Sequence, residues 1–172
     1  NKECSVIAEV VGNLVGLILA HSIFIGSDLQ EGELMVPRVI YYENSVRKME
    51  VFEAETQVDA VANAELFIKN LPQEVDSWAY AQDGLVTLTS GEKQDVYYIK
   101  AWSRGMLAPL ELYQPYTFSP FSLDGNIKVL NYEASGLDMR EENTFIRAIQ
   151  EGAFAHPSAP KALLERWFGN VT

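Results

Sequence analysis

Residues 76 to 118 constrain the fold more than any other part of the chain, because they combine strand-forming side chains with repeated turn signals. Aromatic and β-branched residues recur through this segment, and turn-forming pairs stand at Asp83-Gly84, Ser90-Gly91 and Arg104-Gly105. Short strands that meet at Gly-containing turns are the strongest local signature of β-hairpins. The segment therefore predicts an antiparallel meander of up to four strands, whose broad face must be covered by helices.

Further strands are predicted on both sides of this meander. The segments Arg38–Glu43 and Lys48–Ala54 form a second hairpin pattern, and Asn126–Glu133 predicts a last strand. Together these segments predict one α+β domain over residues 1–172. Its core is an antiparallel sheet of about six or seven strands, with helices packed on one face.

Helical periodicity appears in segments before, between and after the strands. The most apolar segment, Cys4–Ile25, predicts a long buried N-terminal helix. Thr56 begins a second helix with an approximate capping box, and Pro72 ends it. After Gly136 the chain predicts a helical C-terminus that is divided by Pro157.

The N-terminal helix carries a ridge of small side chains. Four of them recur at every fourth position: Ala8, Gly12, Gly16 and Ala20. Such a ridge lets another backbone approach closely. We expect the helix either to pack inside the protein's own core or to use the ridge as the interface of a homodimer, since two-fold homodimers are the commonest oligomers.

Composition and charge argue against several classes of protein. The formal net charge is −11 and the basic residues are dispersed, which disfavours a nucleic-acid binder held by phosphate contacts. Glu9 and Asn13 lie inside the apolar N-terminal segment, so we expect no membrane role despite its length. The single cysteine, Cys4, suits a reducing compartment. These features predict a cytoplasmic protein.

The chain shows no motif typical of a catalytic or metal site. Its two histidines, His21 and His156, are far apart in sequence and belong to no metal-binding spacing, so we expect structural roles for both. We therefore predict no catalytic residue, no metal and no cofactor. A non-enzymatic protein is favoured, although carboxylates can support catalysis without histidine.

Aromatic residues are the sharpest concentration in the sequence. If the predicted registers hold, four of them share one face of the sheet: Trp78, Tyr80, Tyr98 and Trp102. Tyr and Trp are the common anchors of protein interfaces, and an acidic protein attracts basic partners. We therefore expect an acidic interaction protein, such as an inhibitor, an immunity-type protein, or a chaperone or adaptor. It would bind a protein partner, of basic character, through the aromatic face.

The alternative is a small ligand-binding domain or an enzyme, with a pocket between the sheet and the N-terminal helix. Carboxylates such as Asp76, Asp95 or Glu111 would then supply acid–base chemistry. The two classes differ in where the rings should lie. An exposed aromatic patch favours the partner protein, whereas a closed pocket beside a perturbed carboxylate favours the ligand or substrate.

Overall fold

The computed structural model describes residues 2–171, with side chains described as far as Phe168. Strands and helices follow one another in a mixed order along this range. They are α1 (Lys2–Gly26), β1 (Arg38–Glu43), β2 (Val46–Val51), α2 (Gln57–Lys69), β3 (Val75–Thr87), β4 (Lys93–Ser103), β5 (Leu110–Thr117), β6 (Ser122–Leu123), β7 (Lys128–Val129), a 3₁₀ turn (Met139–Glu141), α3 (Glu142–Phe154) and α4 (Lys161–Val171).

The seven strands form one antiparallel sheet in the order β2-β1-β3-β4-β5-β6, with β7 also paired to β5. The predicted α+β class, the number of strands, the long N-terminal helix and the helical C-terminus are thereby confirmed. The strands β6 and β7 have only two residues each, so the predicted last strand over Asn126–Glu133 is much shorter than expected.

Two of the three predicted turns of the meander separate strands, and the third does not. Ser90-Gly91 lies between β3 and β4, and Arg104-Gly105 lies between β4 and β5. The turn predicted at Asp83-Gly84 is wrong, because β3 continues through it. Asp83 is only 4% exposed, and its carboxylate accepts hydrogen bonds from the backbone N–H of Met35 in the loop after α1 and from the Tyr116 hydroxyl of β5. These contacts hold it inside the sheet.

The β1–β2 hairpin is closed by a two-residue turn with left-handed backbone. Asn44 has φ 51° and Ser45 has φ 65°. Two residues with positive φ twist the flanking strands in the favourable sense, and Asn tolerates this conformation well. The hairpin places β2 at one edge of the sheet, where all six of its residues are exposed.

Helices cover both faces of the sheet, not the single face that the sequence predicted. On one side α1 lies against β3 and β4, and α3 packs along α1. The buried side chains Tyr97, Ile99 and Ala101 alternate along β4 and point to this side. On the other side α2 packs over a second core that includes Trp78 and Tyr80. Both faces of β1 and β3 therefore carry apolar side chains that helices must shield from water.

The helix α1 is long and apolar enough to span a membrane by length and composition alone. In this structure 67% of its most apolar stretch is buried inside the protein. Burial of that extent is a property of the core helix of a soluble protein, and the same composition occurs in signal sequences.

Candidate functional site

The four aromatic residues predicted to bind a partner do share one face of the sheet. Trp78 pairs with Trp102 across β3 and β4, and Tyr98 lies opposite Gln82, two residues beyond Tyr80. Their exposure differs. Trp78 and Tyr80 are 5% and 2% exposed beneath α2, so they belong to the second core, whereas Tyr98 and Trp102 are half-buried. The exposed aromatic face is therefore smaller than the sequence indicated.

Trp78 and Trp102 also line an open groove of about 340 Å³, which we call the Trp groove. It lies between the end of α2, the start of β3 and the loop from β4 to β5. Its lining is mostly apolar: Ile68, Leu71, Pro72, Gln73, Val75, Trp78, Trp102, Arg104, Leu107, Ala108 and Pro109. Leu107 is 83% exposed and extends the apolar lining of the groove towards solvent.

The charges at the Trp groove are fixed by hydrogen bonds. Arg104 donates from Nε to Asp76 Oδ1 at 2.9 Å and from Nη2 to the carbonyl oxygens of Gln73 and Val75. These bonds tie the β4–β5 turn to the start of β3 and hold the guanidinium in place. The groove thus has a polar end beside its apolar lining.

The open sheet face continues from Trp102 towards Tyr98. The Tyr98 hydroxyl donates to Glu111 on β5, and Lys100 Nζ lies 5.9 Å from the centre of the Tyr98 ring. Burial and the neighbouring Glu111 carboxylate raise the pKa of Tyr98 well above its ordinary value. Tyr98 therefore remains a neutral hydrogen-bond donor at physiological pH.

The small-residue ridge of α1 is occupied by α3 of the same chain. Ala8 and Ala20 are fully buried, and Gly12 and Gly16 are buried too. A Cβ atom built on Gly12 would lie 2.6 Å from the carbonyl oxygen of Phe145. The ridge therefore packs in the protein's own core, against a helix and not against the sheet. It leaves no free surface for the predicted homodimer contact.

A second concavity, which we call the α1 pocket, lies between α1 and the sheet. Its volume is about 520 Å³, and it is bounded by α1, the end of α3, the β1–β2 hairpin and the adjoining ends of β3 and β4. Val10, Leu14 and Leu17 of α1 and Tyr42 of β1 supply its apolar wall. A pocket between the sheet and the N-terminal helix is what the alternative prediction, a small ligand-binding domain or an enzyme, requires.

Several polar groups line the α1 pocket without a partner. In the part of the chain that the structure describes, neither the Ser77 hydroxyl nor the Asn13 amide makes a side-chain hydrogen bond, although Ser77 is only 4% exposed. Arg47 also lines the pocket, and its guanidinium forms no ion pair with the described residues. Unpaired polar groups that converge on an apolar cavity are typical of ligand sites.

The two histidines meet, although they are distant in sequence. The backbone N–H of Ser158 donates to His156 Nδ1 at 3.1 Å, which places the proton of neutral His156 on Nε2. That nitrogen then donates to His21 Nδ1 at 3.0 Å. His21 Nε2 lies 3.2 Å from Nη1 of Arg38, a guanidinium nitrogen that can only donate.

This arrangement opposes protonation of either ring. Burial, Arg38 and His156 lower the pKa of His21 to about 4. Burial, Lys161 and Arg47 lower the pKa of His156. Both rings are therefore neutral at physiological pH and join α1 to the segment that follows α3. Structural roles are what the sequence predicts for both histidines, but no periodicity or spacing indicates that they touch.

The carboxylates considered for acid–base chemistry do not converge. Asp76 is paired with Arg104, and Glu111 accepts from Tyr98. Asp95 lies near the start of β4, whereas Asp76 lies beside the end of that strand. Among the described residues no three His, Cys, Asp or Glu side chains are grouped as metal ligands.

Comparisons with known proteins identify no family for this chain. No protein-family model, no curated protein and no solved structure matches the chain. Function must therefore be argued from the Trp groove and the α1 pocket themselves.

Proposed function

We propose that the chain is a non-enzymatic, cytoplasmic interaction protein that binds a protein partner through the Trp groove and the adjoining sheet face. The observation that carries this proposal is the position of Leu107, 83% exposed beside the rings of Trp78 and Trp102. An apolar side chain from a partner would cover Leu107 and the half-buried ring of Trp102. Aromatic anchors in such grooves supply most of the binding energy at protein interfaces.

The partner that suits this groove presents an apolar side chain flanked by basic groups. The chain carries a net charge of −11. Asp76 pairs with Arg104, the one charged residue that the described part of the chain contributes to the groove lining, and offsets its positive charge. Acidic surroundings steer basic partners and raise their association rate, whereas the buried apolar contact supplies affinity.

Photocrosslinking from two exposed leucine positions tests the proposal. A photoreactive amino acid is placed at position 107 in one sample and at position 88, on the β3–β4 turn, in another. Leu88 is 42% exposed and distant along the sheet from the Trp groove. We expect one basic protein to crosslink from position 107 only.

The captured protein is then titrated against purified variants. Leu107→Asp should weaken its binding at least tenfold, since it places an unpaired charge in an apolar contact, and Leu88→Asp should leave affinity unchanged. Equal crosslinking from both positions, or equal affinity of both variants, would contradict the proposal.

The second candidate function is the binding of a small molecule in the α1 pocket. It is favoured by the unpaired Ser77 hydroxyl and Asn13 amide, which line a cavity of the size that holds small ligands, about 300–1,000 Å³. The two functions use different faces of the sheet. They can therefore be tested separately on the same protein.

A further inference from the structure

We infer that the α1 pocket is a site for a small, largely apolar molecule that carries one carboxylate. This inference rests on the second proposed function, the binding of a small molecule in that pocket. It adds the chemical class of the ligand, which follows from the charges and hydrogen-bonding groups that line the cavity.

The apolar part of the ligand is indicated by the wall that α1 provides. Val10, Leu14 and Leu17 project from successive turns of α1, and Tyr42 faces them from β1. An alkyl or aryl group placed between them would leave water without displacing any hydrogen bond of the protein. Gly152 and Ala155, at the end of α3, complete the lining.

The carboxylate is indicated by the charge balance of the lining. Arg47 and Asp76 are its two charged residues. Asp76 is already paired with Arg104 at 2.9 Å, so its charge is compensated. Arg47 has no ion-pair partner among the described residues, and a guanidinium binds a carboxylate through two parallel hydrogen bonds.

The polar groups deeper in the pocket fit the same ligand. The Ser77 hydroxyl and the Asn13 amide can both donate hydrogen bonds and have no acceptor within the described part of the chain. A carboxylate offers about four lone-pair sites and no donor, so it can accept from these groups as well as from Arg47.

The test uses octanoate and octan-1-ol as probes, which share an alkyl chain and differ in the head group. Binding is measured by calorimetry, and the site is located by amide chemical-shift changes in nuclear magnetic resonance spectra. Arg47→Gln removes the guanidinium. Lys48→Gln is the matched control, because it changes the net charge equally from the next residue of β2, whose side chain points to the opposite face.

We expect octanoate to shift the amides of Asn13, Ser77 and Gly152, and its dissociation constant to rise at least tenfold in Arg47→Gln but not in Lys48→Gln. Octanol should respond to neither variant. If both probes bind in the pocket with equal affinity and Arg47→Gln has no effect, the carboxylate inference is overturned and the small-molecule function stands. If neither probe binds, or if the chemical-shift changes are confined to another part of the protein, both the carboxylate inference and the small-molecule function are overturned.

Discussion

At the scale of single residues, polar groups buried in the apolar core determine local geometry. Asp83 accepts hydrogen bonds from the backbone N–H of Met35 and from the Tyr116 hydroxyl, which attaches the loop after α1 to the sheet. Tyr97 stacks on Tyr116 with ring centres 4.3 Å apart, and its hydroxyl lies where a Cβ atom of Gly26 would be. Glycine at the end of α1 therefore lets the Tyr97 ring fit beneath the helix.

The stability of the protein should fall as the histidine pair is protonated. His21 has a folded-state pKa of about 4, compared with 6.5 for an unperturbed histidine. Between these values the unfolded chain binds more protons than the folded one, so the contribution of His21 is fully present above pH 6.5 and is lost towards pH 4. We expect a loss of about 2 kcal/mol, less than the full shift implies because the ring is partly exposed.

Urea unfolding at a series of pH values measures this loss. The variant His21→Gln keeps a polar side chain but cannot take up the proton. Its stability should therefore depend less on pH than that of the unsubstituted protein within the window from pH 6.5 to pH 5. Identical pH profiles for the two proteins would show that the histidine pair does not titrate as described.

At the scale of secondary-structure elements, the closest packing in the molecule joins α1 to α3. Cβ atoms built on Gly16 and Gly152 would lie 1.9 Å from the carbonyl oxygen of Ile149 and 2.1 Å from that of Asn13. These are backbone atoms, which cannot rotate away. The two helices therefore approach each other as closely as they do only because glycine stands at the crossing.

Gly16→Ala should separate these helices and destabilise the protein by roughly 3 kcal/mol or more, as overpacking against backbone does. The midpoint of urea unfolding measures the change. Gly84→Ala is the matched control, because its added Cβ would lie at an ordinary distance of 3.5 Å from Val96 Cγ2. A Gly16→Ala protein as stable as the control would rule out the close helix contact.

At the scale of the whole molecule, the edge strand β2 is the surface best suited to self-association, since α3 covers the small-residue ridge. All six residues of β2 are exposed, and Val46, Met49 and Val51 are apolar. Antiparallel pairing of two copies centred on Met49 would place Lys48 of each copy opposite Glu50 of the other. Such cross-strand pairs of opposite charge stabilise a sheet.

We expect the chain to form this dimer, and sedimentation velocity across a concentration series measures it. Glu50→Lys should shift the protein towards monomer, because lysines would then face each other, and Lys48→Glu combined with Glu50→Lys should restore the dimer. Self-association that is unaffected by the single substitution would assign the dimer to another surface. A monomer at every concentration would exclude it.

Local patterns predicted much of the fold correctly. The α2 N-cap is an example, because Thr56 Oγ1 accepts from the backbone N–H of Asp59 at 3.1 Å, a contact between residues three positions apart. The turns at Ser90-Gly91 and Arg104-Gly105 and the same-face grouping of Trp78 with Trp102 likewise depend on neighbours in sequence and on strand alternation.

The site could be predicted only in part. Alternation grouped Trp78, Tyr80, Tyr98 and Trp102 on one face, but it carries no information on which part of that face a helix will cover. The α2 helix buries Trp78 and Tyr80 and leaves Trp102 in a groove. The Ala8–Ala20 ridge showed that another backbone would approach, but not that it would be α3.

The amino-acid sequence by itself determined most of the strands, two of the three turns of the meander, the approximate positions of the helices and the α+β class, because these depend on hydrogen bonds and side-chain periodicity within short segments. Only the tertiary structure decided the rest. It placed a helix on each face of the sheet, brought His21 to His156, kept Asp83 inside β3 and opened the α1 pocket. Each of these features depends on how segments that are distant in sequence pack together. Local sequence patterns do not predict that packing.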